Sequence, residues 1–238
     1  MDLLYPPLCI ACRTQVGGTG AFCPDCWQKV DFLDGASCHC CGLPFEFDPG
    51  PGALCASCLT DRPIFDRARA VMRYTEHSKA PVLAFKHADR LDLAPGFARW
   101  LHRAGRELID ESDLIVPVPL HLRRLWTRRY NQAAELCRHL GRLCRKPVHS
   151  GAIRRTRATP SQGEMPSANA RRRNVQRAFI VPSSCGQLVG GRAVLLVDDV
   201  LTTGATADSC AEALKRAGAA KVNVLALARV VGSSTIPI

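Results

Sequence analysis

Short apolar runs alternate with segments of helical periodicity from about Asp66 to the end of the chain. Runs rich in β-branched residues are typical of buried strands, and apolar residues that recur every three or four positions are typical of helices that bury one face. The pattern predicts strands at 68–74, 114–118, 194–197 and 221–227 with another near 179–181, and helices at 80–87, 94–108, 131–143 and 208–218. Because strands alternate with helices, the sequence predicts an α/β domain with a mainly parallel, doubly wound sheet over residues 61–238.

The first 60 residues lack this periodicity and contain most of the cysteines. Eight of these form four C-x-x-C pairs: Cys9 with Cys12, Cys23 with Cys26, Cys38 with Cys41, and Cys55 with Cys58. Each pair presents two thiolates from one tight turn, and two pairs complete a tetrahedral site that leaves no position open for water. The spacing therefore predicts a small Cys-rich module over residues 1–60 with two structural zinc ions, held by successive pairs. Crossed pairing stays open, as does a ligand role for Cys40 or His39.

Charge is distributed unevenly along the chain. The formal net charge of the 238 residues is +11, and residues 121–177 contain fifteen Lys and Arg residues against two Glu. Such a concentration attracts phosphate-rich partners such as pyrophosphate or a nucleic acid. No apolar run approaches the roughly 18 residues of a membrane span, and the start of the chain lacks the basic and apolar regions of a signal peptide. We therefore expect a cytoplasmic protein without membrane insertion, in which the cysteines are reduced rather than joined as disulfides.

The segment that follows the apolar run 194–197 is the most informative in the chain. Asp198 and Asp199 can accept hydrogen bonds from two vicinal hydroxyls, and they come at the carboxyl end of a strand, where open α/β sheets bind ligands. Next come Thr202, Thr203, Gly204, Ala205 and Thr206. These five residues offer amides, hydroxyls and a helix start to a phosphate, and the glycine permits a positive φ. Neither a P-loop lysine nor a G-x-G-x-x-G motif is present. The alternative is a turn and a Thr-capped helix that bind nothing.

This segment resembles the phosphoribosyl diphosphate (PRPP) signature of type I phosphoribosyltransferases, which reads apolar strand, Asp-Asp, Thr-Thr-Gly-x-Thr. The resemblance implies that Asp198 and Asp199 hold the ribose 2′ and 3′ hydroxyls. It also implies that residues 202–206 hold the 5′-phosphate and that PRPP is bound with Mg²⁺.

A wider resemblance covers nearly the whole chain. Six motifs follow one another as in the ComF family. They are the zinc knuckles, Phe85-Lys86, a Val-Pro-Val-Pro segment with an Arg-rich loop and Asn131-Gln132, Arg-x-Arg-x-Thr-x-x-Gln from Arg155, Arg-x-x-Asn-Val from Arg171, and the PRPP loop. Tyr130 departs from a usual Phe, and Met165-Pro166 from a usual Leu-Ser. The resemblance implies a phosphoribosyltransferase-like protein of the competence and DNA-uptake type. We expect candidate contacts to pyrophosphate from five residues of these motifs: Lys86, Arg128, Asn131, Arg157 and Arg171.

Two functions stay open at this point. The first is transfer of a phosphoribosyl group from PRPP to an acceptor with release of pyrophosphate. The second is a non-catalytic competence protein that handles single-stranded DNA and uses the PRPP fold as a sensor or scaffold. The basic segment near 154–177 is compatible with a flexible loop, with a lid over PRPP, or with an arm that binds nucleic acid. A transcriptional regulator is disfavoured because no helix-turn-helix is evident.

Overall fold

A computed structural model describes residues 6–87, 90–120, 130–156 and 178–232. The strands are β1 (Arg67–Arg73), β2 (Leu114–Pro117), β3 (Arg154–Arg155), β4 (Phe179–Ile180), β5 (Ala193–Leu201) and β6 (Lys221–Arg229). The α-helices are α1 (Pro24–Gln28), α2 (Ala56–Thr60), α3 (Glu76–His87), α4 (Ala94–Ala104), α5 (Arg106–Asp110), α6 (Gln132–Cys144), α7 (Gly186–Val189) and α8 (Ala205–Arg216). Two short 3₁₀ turns lie at Leu91–Leu93 and Ser183–Cys185.

Four strands form one parallel sheet in the spatial order β1-β6-β5-β2. Side chains alternate across it, as the period of two in a strand requires. Leu195 and Val197 of β5 belong to a buried cluster with residues of α4 and α6, whereas Val194 and Leu196 belong to a second cluster with residues of α8. The sheet is therefore covered on both faces, and the predicted α/β fold with a parallel sheet is confirmed.

Some boundaries shift, since α3 begins at Glu76 rather than at residue 80 and β6 extends to Arg229 rather than to residue 227. Three larger differences separate the predicted elements from the observed ones. The predicted helix 94–108 is divided at Gly105 into α4 and α5. A Cβ on Gly105 would lie 2.5 Å from Cδ2 of Leu225, so a larger residue here would require the Leu225 side chain of β6 to move. The run 179–181 contributes only β4, which pairs antiparallel with β3 outside the main sheet. The sequence pattern did not predict β3, because two residues are too few to show a period.

The third difference concerns the segment with the two aspartates. β5 does not end at Val197 but continues to Leu201, because β6 extends alongside it and pairs up to Leu201 and Arg229. Helix α8 begins at Ala205 rather than at Asp208. The connection between strand and helix is thus only residues 202–204.

The Cys-rich module covers the outer edge of β1. The amide of Leu33 donates to the carbonyl oxygen of Val71 at 3.0 Å, and the amide of Ala68 donates to the carbonyl oxygen of Cys40 at 2.7 Å. An uncovered edge strand offers unpaired backbone groups to other chains. The module therefore satisfies the edge of the sheet as well as holding metal.

The same module contributes side chains to both faces of the sheet. Ile10, Phe22 and Val30 lie in the buried cluster that contains α4. Cys38, Cys40, Cys41, Cys55 and Cys58 lie in the cluster that contains α8. The cysteines of the first zinc site and those of the second thus pack on opposite faces of the sheet. The sheet and the module therefore share their apolar cores.

Among the residues that the structure describes, no helix combines the length and the apolar character needed to cross a bilayer.

The shared core predicts that the module and the sheet unfold together. Phe22 is 8% exposed and its ring stacks on Trp100 of α4 with centroids 5.2 Å apart. We expect Phe22→Ala to lower the free energy of unfolding of the whole chain by about 3 kcal/mol. Urea denaturation followed by far-UV circular dichroism measures this change. Phe47, which lies in the same module and is 74% exposed, is the matched control, and Phe47→Ala should change stability by less than about 0.5 kcal/mol. Two separate transitions, of which Phe22→Ala moves only the smaller, would contradict a shared core.

Candidate functional site

The eight predicted zinc ligands form two groups. The sulfurs of Cys9, Cys12, Cys23 and Cys26 lie within 4.8 Å of one another, and so do those of Cys38, Cys41, Cys55 and Cys58. Tetrahedral zinc with Zn–S bonds of about 2.3 Å places its sulfurs roughly 3.8 Å apart, so both groups fit the ion. Each group combines two C-x-x-C pairs that follow one another in the chain, so crossed pairing is not observed among these eight cysteines.

Backbone donors support the same assignment. The amide of Cys23 donates to Sγ of Cys9 at 3.3 Å, and the amide of Cys55 donates to Sγ of Cys38 at 3.3 Å. Such donors stabilise the thiolate form that a metal requires. Cys40 is buried outside the second group, and His39 is exposed. Neither belongs to the ligand set, and both sites are structural four-thiolate sites.

The two aspartates lie where β5 extends beyond its neighbour β2. The β2 pairing stops at Pro117 and Val197, so Asp198 and Asp199 continue next to β6 alone. Both side chains are half-buried. Nζ of Lys86 lies 3.1 Å from Oδ2 of Asp199, and the amide of Asp199 donates to Oδ1 of Asp198 at 2.9 Å. Lys86, predicted from its motif, is therefore part of the acidic site.

The two carboxyl groups have different electrostatic environments. Burial, and then the charge of Asp199, raise the pKa of Asp198 to about 7, although Lys86 and Arg155 act in the opposite direction. Lys86 compensates the charge of Asp199 directly through their ion pair. The pair therefore holds one compensated carboxylate and one carboxyl group that exchanges its proton near neutral pH.

The connection 202–204 turns tightly into α8. Gly204 has φ +83° and occupies the N-cap position of the helix, and this left-handed conformation favours glycine. The hydroxyl oxygen of Thr203 accepts a hydrogen bond from the amide of Ala205 at 3.5 Å. Thr203 is exposed and Thr206 is half-buried. Since α8 is 12 residues long, its first amides and its dipole form an electropositive end next to the aspartates.

The segment Tyr130 to Gln132 holds Lys86 in position. The side-chain amide of Gln132 donates to the carbonyl oxygen of Lys86 at 2.8 Å. The hydroxyl of Tyr130 donates to the carbonyl oxygen of Phe85 at 3.2 Å. Asn131 caps α6 by accepting from the amide of Ala133 at 3.0 Å, and its Nδ2 donates to the carbonyl oxygen of Val118 at 3.1 Å. The structure thus places Asn131 in a capping position.

Sequence reasoning did not include Arg155 among the site residues. This residue of β3 lies with its guanidinium carbon 5.4 Å from the ring centroid of Phe179, and its charge lowers the pKa of Asp198. The only signal in the sequence was its place in the Arg-x-Arg-x-Thr-x-x-Gln motif. The other predicted cations, Arg128, Arg157 and Arg171, lie outside the described residues.

Comparisons with known proteins agree with this arrangement. A model of the double zinc ribbon domain matches residues 1–59, and a model of the phosphoribosyl transferase domain matches residues 133–235. The DNA utilization protein YhgH of Escherichia coli strain K12 is 35% identical over 233 residues, which cover 95% of this chain and 99% of that protein. Competence protein F of Haemophilus influenzae is 30% identical over 227 residues, which cover 93% of this chain and 96% of that protein. The chain belongs to the ComF family. The predicted combination of zinc ribbons with a phosphoribosyltransferase-like domain is therefore confirmed, as the ComF resemblance implied.

Solved structures give weaker likenesses to this ComF chain. A glutamine PRPP amidotransferase from B. subtilis is 19% identical, with 61% of this chain and 30% of that chain covered and a TM-score of 0.35. A purine phosphoribosyltransferase from Pyrococcus horikoshii is 23% identical, with 59% and 78% covered and a TM-score of 0.33. At TM-scores this low, neither likeness bears on the activity of the chain.

The raised pKa of Asp198 predicts a pH-dependent cost to stability. The folded state holds a proton up to a pKa of about 7, whereas the unfolded chain loses it near pH 4. Stability therefore falls as pH rises between these values, and the full cost is present above pH 7. We expect the stabilisation by Asp198→Asn to be about 1 kcal/mol larger at pH 8 than at pH 6.

Denaturant titration of wild type and variant at the two pH values measures this difference. The lower value is kept at pH 6 because zinc-bound thiolates must stay deprotonated. Asp110→Asn is the control, since Asp110 is exposed at the end of α5, at the opposite edge of the sheet. Equal effects of Asp198→Asn at both pH values would show that the Asp198 pKa is not raised.

Proposed function

We propose that this chain binds PRPP with Mg²⁺ at the carboxyl edge of the sheet and transfers its phosphoribosyl group to an acceptor, with release of pyrophosphate. One observation carries the proposal: two adjacent carboxylates at the end of β5 lie beside a left-handed glycine that starts α8. A phosphorylated pentose has two vicinal hydroxyls at one end and a phosphate at the other. The site offers acceptors and donors in the matching order.

The acidic pair is proposed to bind the ribose hydroxyls. A hydroxyl donates its hydrogen, so Asp198 and Asp199 act as acceptors, and an ionised carboxylate accepts more strongly than a protonated carboxyl group. Nζ of Lys86 lies 3.1 Å from Oδ2 of Asp199 and compensates its charge. Because the pKa of Asp198 is raised to about 7, sugar binding should release a proton at neutral pH, and the affinity should increase as pH rises through 7.

The loop is proposed to bind the 5′-phosphate. The amides from Thr202 to Thr206 and the start of α8 supply donors and a positive dipole to an anion. Gly204 is needed there because its φ is +83°. A side chain at this position would be strained by this backbone conformation, although its Cβ would make an ordinary contact of 3.5 Å with Cε1 of Phe65.

Catalysis is proposed to rest on charge compensation. The bond from C1 of the ribose to the pyrophosphate oxygen breaks, and a bond from C1 to the acceptor nucleophile forms. Mg²⁺ supplies neutralisation of the leaving pyrophosphate when it is bound. Arg155 and Lys86 are the described cations next to the acidic pair. Arg128, Arg157 and Arg171 remain candidates for the pyrophosphate on their motifs alone.

The proposed location is the cytoplasm. Two sites built of reduced thiolates fit a reducing compartment, because oxidising compartments convert closely spaced thiols to disulfides.

The PRPP proposal predicts that removal of either carboxylate weakens ligand binding. A charged hydrogen bond is worth roughly 1.5–3 kcal/mol, so Asp198→Asn and Asp199→Asn should each lower the affinity for PRPP and Mg²⁺ by about tenfold or more. Isothermal titration calorimetry measures the affinity, and mass spectrometry of PRPP with Mg²⁺ and cell extract identifies the acceptor. Asp110→Asn is the matched control and should bind like wild type. Equal binding by wild type and by the two site variants would overturn the assignment.

A second function, binding of single-stranded DNA, is favoured by the names of the relatives and by a basic cleft. The cleft has a volume of about 450 Å³ and is lined on one side of α6 by Arg138, Arg142 and Lys146, with one acidic residue, Glu135. Arg138 pairs with Glu135 at 2.9 Å, so the excess positive charge comes from Arg142 and Lys146, and it suits the phosphates of a nucleic-acid backbone. Competence proteins are accordingly proposed as partners of this chain.

This second function predicts binding that depends strongly on salt and little on base sequence. Arg142→Gln should weaken binding of an oligothymidine and reduce the slope of log affinity against log salt by about 1, because one phosphate contact is lost. Fluorescence anisotropy at several salt concentrations measures the slope. Arg216→Gln, at an exposed position at the end of α8, is the matched loss of charge and should leave the slope unchanged. The same slope in wild type and Arg142→Gln would remove the cleft from the interface.

A further inference from the structure

The segment 61–66 connects the second zinc site to the start of the sheet and contacts the loop proposed to bind phosphate. It follows α2, which contains the zinc ligand Cys58. The amide of Ile64 donates to Oδ1 of Asp208 at 2.8 Å. Phe65 is 2% exposed and lies against Gly204. The segment therefore contacts the glycine through Phe65 and the first turn of α8 through the Ile64 amide.

Asp66 anchors the other end of this segment. Its carboxylate accepts from the amide of Val222 at 2.7 Å and lies 3.0 Å from Nζ of Lys215 of α8. Its own amide donates to the carbonyl oxygen of Val222 at 2.8 Å. With one end of the segment held by β6 and α8 and the other by the zinc knuckle, the position of Phe65 under Gly204 depends on both attachments.

A second connection reaches the beginning of the loop. Nη1 of Arg229 donates to the carbonyl oxygen of the zinc ligand Cys41 at 2.6 Å, and Nη2 lies 3.6 Å from its sulfur. Arg229 is the last residue of β6 and is paired in register with Leu201, the last residue of β5. The amide of Val230 also donates to the carbonyl oxygen of Leu201 at 2.9 Å. The second zinc site is thus connected to residue 201 on one side of the loop and to residues 204 and 208 on the other.

The first zinc site has different neighbours. Gly20, between its two knuckles, lies against Gly96 of α4, and Phe22 stacks on Trp100 of the same helix. Among the described residues, the hydrogen bonds and ion pairs that leave residues 6–34 lead to β1 and α4 and not to 198–208. The two zinc sites thus differ in what they hold, although both are structural.

We propose that the second zinc site, unlike the first, is a positioning element of the phosphate loop. Zinc held by Cys38, Cys41, Cys55 and Cys58 keeps Arg229 and the segment 61–66 in place, and these keep both ends of the loop in place. Loss of this zinc should therefore disorder the loop and lower the affinity for the 5′-phosphate, whereas loss of the first should not. The part of this inference that concerns phosphate rests on the proposed function.

The test compares the last ligand of each site in the full chain. Cys58→Ser and Cys26→Ser are each expected to reduce the zinc content by one ion in elemental analysis. Hydrogen exchange of peptides that span 198–208 is then measured without ligand. We expect Cys58→Ser to accelerate exchange there by about tenfold and Cys26→Ser to leave it within about twofold of wild type. Amides of 194–197 report whether the sheet itself stays folded.

A second pair of variants keeps the test decisive if Cys58→Ser fails to fold. Asp208→Ala removes the acceptor of the Ile64 amide while both zinc sites stay intact. Asp208→Asn retains an oxygen in the same place and should restore the behaviour of wild type. We expect faster exchange at 198–208 in the alanine variant alone, with two zinc ions in both variants.

Titration with PRPP and Mg²⁺ separates the two ideas. A weakening of about tenfold in Cys58→Ser and Asp208→Ala, with near wild-type affinity in Cys26→Ser and Asp208→Asn, supports the inference and the proposed function together. If wild type does not bind PRPP but exchange at 198–208 responds as expected, the proposed function fails and the positioning role stands. If exchange at 198–208 is the same in Cys58→Ser and Cys26→Ser, or in Asp208→Ala and Asp208→Asn, the positioning role is overturned whatever PRPP does.

Discussion

Two adjacent carboxylates at the end of a buried strand impose the main constraint on this structure. Carboxylates repel each other and lose hydration when they are buried, so they persist only where cations or a proton compensate them. Here Lys86 compensates the charge of Asp199. The pKa of Asp198 is raised to about 7, so this carboxyl group is partly protonated at neutral pH. Three elements meet at this point. Helix α3 carries Lys86, the start of α6 holds Lys86 in place, and strand β3 carries Arg155. These contacts offset the unfavourable free energy of placing two carboxyl groups side by side. Ionisable groups with perturbed pKa values of this kind are frequent at functional sites.

The zinc ribbons solve a different problem. A four-stranded sheet ends at β1, whose outer backbone groups need partners, and a module of 60 residues cannot bury enough apolar surface to fold by itself. Thiolate ligands supply the folding energy of the module, and the module in turn covers β1 and completes the core on both faces. Metal, edge strand and core are therefore joined in one packed unit.

The second ribbon is connected to the loop of three residues between β5 and α8. Phe65 and the Ile64 amide lie beneath its helical end, and Arg229 connects its strand end to Cys41. The second zinc site of this chain is therefore in contact, through these residues, with both ends of the loop proposed to bind phosphate.

The sequence alone determined the features that depend on near neighbours in the chain. The spacing of two residues between cysteines predicted the zinc sites, and the period of two or of three to four predicted most strands and helices. The aspartates with Thr-Thr-Gly predicted a turn into a helix with glycine at its start, and ligand binding by this loop stays a prediction. All of these follow from local geometry, in which turns, strands and helices impose fixed repeats. The length of β5 did not follow, because it is decided by β6 lying alongside, and the pattern did not show the division at Gly105 either.

Only the tertiary structure decided which distant residues meet. Lys86 and Asp199 are far apart in the chain but 3.1 Å apart in space, and Arg155 acts on Asp198 from a strand too short to show a pattern. The same holds for the ribbons: knuckle spacing predicts zinc but cannot tell which face of the sheet each ribbon covers. The physical reason is that a pKa, an ion pair or a supported loop depends on distance in space, and distances between remote segments are fixed only when the sheet and its two cores assemble.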